Sequence, residues 1–212
     1  QGRNFSNKIW NAFRLTKQWE IDNSLEQPQE AKEAIEWFEN RMQQALADID
    51  DKFSKYRMSE ALMATYKLVW DDFCSWYLEM VKPAYQAPID ALTYSKTQEL
   101  FENILGILHP FMPFLTEEIW HLFEDRKEGE TIMFKSWPKQ TGFDLDLLEK
   151  FEVAQELITQ IRNFRAGKGM SPKPSSFKKA RNLCALPFSW DSNQASNSDI
   201  FAGTSVCVSS FQ

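Results

Sequence analysis

The chain has 212 residues, a net charge of -6, 43% hydrophobic residues and 25% charged ones. That is enough apolar material to fill a core, so wholesale disorder is excluded, and the length suits one large domain or two small ones. Only 7 residues are glycine, which argues against propellers, sandwiches and glycine-rich nucleotide folds and in favour of helices. Three cysteines (Cys74, Cys184, Cys207) and two histidines (His109, His121) form no CxxC or HxxxH spacing, so no structural zinc site is expected. The sparse, odd cysteine count suits a reducing cytosol, and a cytoplasmic location is expected. No apolar run approaches the roughly 20 residues needed to span a bilayer, and no secretory signal opens the chain. A start on Gln rather than Met reads as a piece of a longer chain.

The charge is unevenly distributed. Residues 1–20 carry Arg3, Lys8, Arg14 and Lys17 against Glu20 alone. Residues 151–181 carry Arg162, Arg165, Lys168, Lys173, Lys178, Lys179 and Arg181 against Glu152 and Glu156. The stretch between them is strongly acidic. Two basic ends around an acidic middle fit a polyanion met on one side, and equally fit ordinary surface variation.

In chain order, a first helix is expected from Asn4 to Trp19. At about 100° per residue, Phe5, Ile9, Ala12, Phe13 and Thr16 share an inward arc. Asn4, Asn7, Lys8, Asn11 and Arg14 share the opposite one, with Leu15 the apolar intruder and Trp10 at the border. No acid interrupts this polar stripe, whereas a solvated face ordinarily mixes Glu with Lys. A loop at 20–27 leads to a second helix opened by Pro28, with Ile35, Phe38, Met42, Leu46, Ile49 and Phe53 inward. Ser59 is the expected cap of a third helix, with Leu62, Tyr66, Val69, Phe73, Trp76 and Met80 as its stripe, widened by Trp70, Tyr77 and Val81, and Pro83 as its end. A fourth helix is expected over 95–108, and Thr116 is the expected cap of a fifth. Residues 132–137 read as extended. A sixth helix over 144–165 should bury Leu147, Leu148, Phe151, Ala154, Ile158 and Ile161. From Gly167 onward glycines and prolines break the period, and short strands are expected at 183–186 and 206–208. A boundary near residue 140 divides a helical domain, 1–140, from a C-terminal helix plus small α/β segment, 141–212.

The string LHPFMPFLTEEIW, Leu108 to Trp120, resembles the anticodon-binding bundle of class I aminoacyl-tRNA synthetases. GRNFSNKIWNAFR (Gly2 to Arg14), YRMSEALMATYKLVWDDFCSWYLEMVKP (Tyr56 to Pro83) and IRNFRAGKGMSPK (Ile161 to Lys173) are similar to the valyl members of that class. Four blocks stand in the family's order over residues 2–174. The family usually has Phe where this chain has Leu15, and residues 175–212 align with little of it. The resemblance implies a mainly α fold, the anticodon-binding helical bundle of the class. It also implies a parent enzyme that attaches valine to its tRNA using ATP. The catalytic domain with its HIGH and KMSKS motifs is not in this chain, so no catalytic residue, ATP site or other cofactor is expected here, and the piece alone should be inactive. Lys168 to Lys173, KGMSPK, looks like KMSKS only by chance, since it carries an inserted Gly and a Pro and follows the bundle. The implied partners are the tRNA for valine and the remaining domains of the parent, with no membrane and no DNA.

Unpaired anticodon bases are read by hydrogen bonds on their edges and by stacking. Asn offers both donor and acceptor, while Lys and Arg suit phosphate. The expected tRNA-binding residues are therefore Asn4, Asn7, Lys8, Trp10, Asn11 and Arg14 on the first helix, with Arg162, Arg165 and Lys168 as backbone contacts. The competing reading makes the asparagines helix caps and the second basic set a solvated face. Trp19, Trp37, Trp70, Trp76 and Trp120 are read as packing residues. His109 is read as capping or packing, and the pair Glu117 and Glu118 as a match to the helix dipole rather than a catalytic dyad. A non-catalytic helical protein-interaction module is the alternative to the RNA reading.

Overall fold

The computed structural model describes residues 2–127 and 129–169. The chain divides into two compact units, 1–172 and 173–212, and the described residues all lie in the first. The expected strands at 183–186 and 206–208, with Lys173, Lys178, Lys179, Arg181, Cys184 and Cys207, lie outside the described residues.

The first unit is a helical bundle. Helix α1 (Gly2–Lys17) buries Phe5, Ile9, Ala12, Phe13 and Thr16, the arc expected from its period. It is followed by β1 (Ile21–Asp22), where a plain loop was expected, and this strand pairs in parallel with β2 (Ile89–Asp90). Helix α2 (Gln29–Ser54) starts after Pro28, whose carbonyl receives the amides of Ala31 and Lys32. Its buried face includes Ile35, Trp37, Phe38, Met42, Leu46 and Ile49.

The third helical stretch departs most from expectation. It opens as α3 (Met58–Lys67), widens into a π-helical segment (Leu68–Tyr77), and closes as α4 (Leu78–Val81). Ser59 lies inside α3, with Arg57 at the cap position, so it caps nothing. Leu62 is exposed. The buried line is instead Ala61, Thr65, Leu68, Val69, Asp72, Phe73, Tyr77, Leu78 and Val81. At the start, small Ala61 and Thr65 replace Leu62 and Tyr66 against the neighbouring helices. Further on, bonds closing at i→i+5 place more residues in each turn, so within the widened stripe Tyr77 and Val81 are the buried residues while Trp76 and Met80 are half-buried.

Helix α5 (Ala91–Leu108) begins four residues earlier than expected, because Asp90 caps it: its carboxylate accepts the Thr93 amide at 2.8 Å. Helix α6 (Pro113–Phe123) starts on Pro113. Thr116 is not its cap. It is buried one turn inside, and its hydroxyl lies 3.0 Å from the Met112 carbonyl and 2.7 Å from His109 Nδ1. Residues 132–134 form a 3-10 turn rather than a strand. Helix α7 (Leu145–Gly167) is capped by Asp144, which accepts the amides of Asp146 and Leu147. Of its expected inward residues only Leu148 is buried; Leu147, Phe151, Ala154 and Ile158 are half-buried and Ile161 is exposed. The helix rests on α2 through its first half, where Phe151 stacks on Trp37 at 4.7 Å.

A chain of aromatic rings holds these elements together. Phe38 of α2 lies 5.4 Å from Phe73 of the π segment, which meets Phe101 of α5 edge-on at 5.0 Å. Phe101 meets Phe123 of α6 at 5.2 Å, and Phe123 meets Phe13 of α1 at 5.1 Å. Tyr77 joins the cluster and shares a 2.8 Å hydrogen bond with Thr97 Oγ1, and burial pushes its hydroxyl well above the usual range.

One ion pair lies within this packing. Arg41 Nε donates to Asp72 Oδ2 at 3.0 Å, and its Nη1 reaches Gln44 and, at 3.4 Å, Glu152 of α7. Burial raises the Asp72 carboxyl above 3.8, and the Arg41 charge offsets this only in part. A raised folded pKa means that the stability this carboxyl contributes is full below the unfolded value and is lost as pH rises through the folded one. Removing the guanidinium strands a buried carboxylate. Arg41→Met should therefore cost about 3 kcal/mol at pH 7, with a smaller loss at pH 4.5, because a carboxyl raised by burial takes up its proton at higher pH than an ordinary one and so loses the stranded charge. Urea midpoints of both chains at the two pH values check this.

Candidate nucleic-acid interface

The inward arc of α1 is anchored at Phe13 by the aromatic chain and at Phe5 by Tyr66, stacked at 4.7 Å. With that arc fixed, the opposite one has to face solvent. Asn4, Asn7, Asn11 and Arg14 are all exposed. Arg3 and Gln18, also exposed, extend the ridge at its two ends. Leu15, 38% exposed, interrupts it. No acid stands anywhere on α1, and Arg14 and Lys17 occupy its last turn, where the helix dipole favours cations.

Two of the expected residues behave differently. Trp10 is half-buried and packs against Phe13, with ring centroids 5.7 Å apart. Lys8 is half-buried and leans away from the ridge toward the π segment. Its Nζ donates to Ser75 Oγ at 2.8 Å and stands 4.0 Å from the centre of the Trp70 ring. Lys17 leans to the other side and donates to the Phe123 carbonyl of α6 at 3.0 Å. The ridge helix is thus pinned on both flanks by its own lysines.

The second basic set lies on the last turns of α7. Arg162 and Lys168 are exposed and Arg165 is half-buried. The Arg162 guanidinium stands 5.2 Å from the centre of the Trp76 ring, and Lys168 Nζ 5.9 Å from that of Phe164. Trp70 and Trp76 both belong to the π segment. The two sets, far apart in sequence, therefore each place a cation over a tryptophan of one element. Trp70 and Trp76 stand among the expected packing residues; that each carries a cation, and that Ser75 receives the Lys8 ammonium, follows from tertiary packing that helical period does not encode.

The remaining candidates pack within the core or against it. Trp37 and Trp120 are buried, and Trp19, Trp70 and Trp76 are half-buried against the core. Glu117 lies 3.1 Å from His121 Nε2 and accepts from Thr131 at 2.9 Å, so it ties the segment after α6 back to that helix. A cleft of about 510 Å³ lies between α5, α6 and the 129–135 segment. Its Glu102 accepts from both Arg126 and Lys135, and the Arg126 guanidinium stands 3.6 Å from the centre of the Trp120 ring. Its opposite charges neutralise one another, and it is lined by residues remote from α1 in the chain. Among the described residues, no cluster of three or more His, Cys, Asp or Glu side chains could hold a metal ion. Among them, no helix is long and apolar enough to cross a membrane.

Cys74 lies beside Lys8 in the seam between α1 and the π segment. Burial pushes its thiol up to about 12, and the nearby Lys8 charge offsets this only slightly. In a chain carrying C184S and C207S, alkylation at pH 8 should leave Cys74 unlabelled while native and label it fully in denaturant. Intact mass before and after denaturation reads this directly, and rapid native labelling would mean that the α1 seam opens readily.

Comparison with known proteins adds a family to this geometry. The model of the anticodon-binding domain of tRNA ligases matches residues 36–180. The valine–tRNA ligase of Parabacteroides distasonis is 51% identical over 173 residues, covering 82% of this chain and 20% of its own length. That of Phocaeicola vulgatus is 53% identical with the same coverage. That of Thermosynechococcus vestitus is 34% identical over 181 residues. The chain spans about a fifth of the length of the curated relatives it matches.

Proposed function

The chain belongs to the anticodon-binding domain family of tRNA ligases, and we propose that it is the tRNA anticodon-recognition module of a valine–tRNA ligase. The observation that carries this reading is the acid-free ridge of Asn4, Asn7, Asn11 and Arg14, turned to solvent on a helix whose opposite face is locked into the core. The asparagines present donors and acceptors to splayed-out bases, and Arg14 presents its charge to the backbone between them. Arg162, Arg165 and Lys168 extend the cationic surface along the strand. Lys8 and Trp10 flank the ridge.

The chemistry follows from this arrangement. The module reads and positions, while valine activation with ATP belongs to the remaining domains of the parent. This chain by itself is inactive, holds no cofactor and takes tRNA rather than DNA, and its compartment is the cytoplasm. The functional division is placed near residue 140, between the reading bundle and the appended C-terminal piece, 141–212. One observation favours protein contact as a second role. Val153, Leu157, Ile161 and Phe164 form an exposed apolar line along α7, suited to packing against the parent's other domains.

Titration of the chain with valine tRNA and with an anticodon-changed transcript tests the reading. Asn11→Ala should weaken the cognate RNA about 10-fold, the equivalent of one or two unreplaced hydrogen bonds, and narrow the preference between the two RNAs. Arg14→Ala should weaken both alike and lower the slope of log affinity against log salt by about 1. Equal affinity of the wild-type chain for both RNAs removes base readout from the proposal. Absolute affinity will be modest, because a parent that holds tRNA at several places gains from their linkage.

A further inference from the structure

We infer that Trp70 is a nucleobase-stacking site, occupied in the RNA-free chain by the Lys8 ammonium. This rests on the reading of the chain as a binder of unpaired anticodon nucleotides, and adds to the ridge a group that the ridge lacks, an aromatic face. Trp70 is half-buried on the π segment. Its ring belongs to a triangle of near-parallel rings, with Tyr66 at 5.5 Å and 11°, Phe5 at 6.2 Å and 23°, and those two 4.7 Å from each other. Phe5 is itself a buried residue of the ridge helix. The position of the indole is therefore set by the same packing that orients the asparagines.

Lys8 belongs to the edge of the ridge on the Trp70 side. Asn4, Lys8, Asn11 and Leu15 follow one another at helical spacing along α1, so the residue over Trp70 has an exposed asparagine a turn away in each direction. A base seated on the indole lies alongside these amides. In the free chain the lysine stands 4.0 Å over the ring and has Ser75 Oγ at 2.8 Å as its hydrogen-bond partner. Ser75 in turn donates to the Trp70 carbonyl at 2.8 Å, five residues back, a contact suited to the wide turn of the π segment.

The exchange is physically favourable. Stacking a base on an aromatic ring is worth more than one part-exposed cation over its face. The displaced ammonium is not lost, because a phosphate arrives with the base and pairs with it, releasing a condensed counterion. Ser75, released by Lys8, keeps its hydroxyl at the rim of the site. Lys8 thus serves as a lid on the free ring and as a phosphate contact in the complex.

The test uses the full chain and the anticodon stem–loop of valine tRNA, read by anisotropy and by indole emission. Wild-type emission should fall as RNA binds, and in Trp70→Phe most of that fall should disappear while binding persists. Trp70→Leu should lose about 10-fold in affinity. Lys8→Met should flatten the salt slope by about one. A folded Trp70→Leu chain that binds within twofold of wild type overturns the inference. Should Trp70→Leu fail to fold, the Trp70→Phe emission decides, and a fall as large as wild type overturns it. When Asn11→Ala weakens binding and neither tryptophan variant differs from wild type, this inference alone falls. A wild-type chain that binds the stem–loop no better than an unrelated hairpin overturns the anticodon reading, and this inference with it.

Discussion

The line of rings from Phe38 through Phe73, Phe101 and Phe123 to Phe13 crosses α2, the π segment, α5, α6 and α1 in turn. Each contact is a tilted or edge-on meeting of the kind that aromatic quadrupoles prefer. Five helical elements are thereby held by one continuous apolar thread. The orientation of each is decided by the residue it contributes. For α1 that residue is Phe13, and with Phe5 seated on Tyr66 the rotation of the helix about its own axis has no freedom left. The outward asparagines are a consequence of this inward packing.

That constraint made α1 legible from sequence. Its five inward positions follow the α period without exception, and the acid-free face opposite them is visible as residue types alone. The aromatic thread was partly legible, since Phe13, Phe38, Phe73, Phe101 and Phe123 each stood on an expected element. Their partners were not, because contacts between helices depend on crossings that periodicity does not encode. The middle of the third helical stretch failed for a sharper reason. A wheel at 3.6 residues per turn centres the stripe on Leu62, Trp76 and Met80 with Tyr77 and Val81 at its margin, while the π turns put Tyr77 and Val81 at the centre of the buried line. Nothing in the string LVWDDFCSWY announces a wider turn.

The other errors share a cause. Ser59 and Thr116 were read as caps because their types are good caps, yet each falls inside a helix. Asp90, which does cap, stands before the start that the apolar pattern of its helix suggests, whereas the helix expected from Asp144 is capped by that residue. On α7 the expected stripe from Leu147 to Ile161 follows one face, but that face meets α2 only over its first turns, so Leu148 is buried, Leu147, Phe151, Ala154 and Ile158 are half-buried and Ile161 is exposed. The line ending at Phe164 remains at the surface, 64% exposed. The candidate site was legible as a set of residue types. Its environment was not, since the seats of Lys8 and Arg162 over Trp70 and Trp76 arise from tertiary packing.

The way α1 is attached has a kinetic consequence. Helices α2 and α3 are neighbours in sequence and pack together as a local hairpin. The bonds that seat α1 span far more chain: Lys8 reaches Ser75 across 67 residues, and Lys17 reaches Phe123 across 106. The pairing of Ile21 with Ile89 closes a loop of similar scale. Closing such loops early is entropically unfavourable, so the local hairpin forms before α1 docks. Helix α7 is tied to α2 across chain lengths as great, 104 residues between Asp144 and Asn40 and 111 between Glu152 and Arg41. Both ends of the bundle are therefore late to arrive, and the asparagines take their places only once the hairpin exists to receive them.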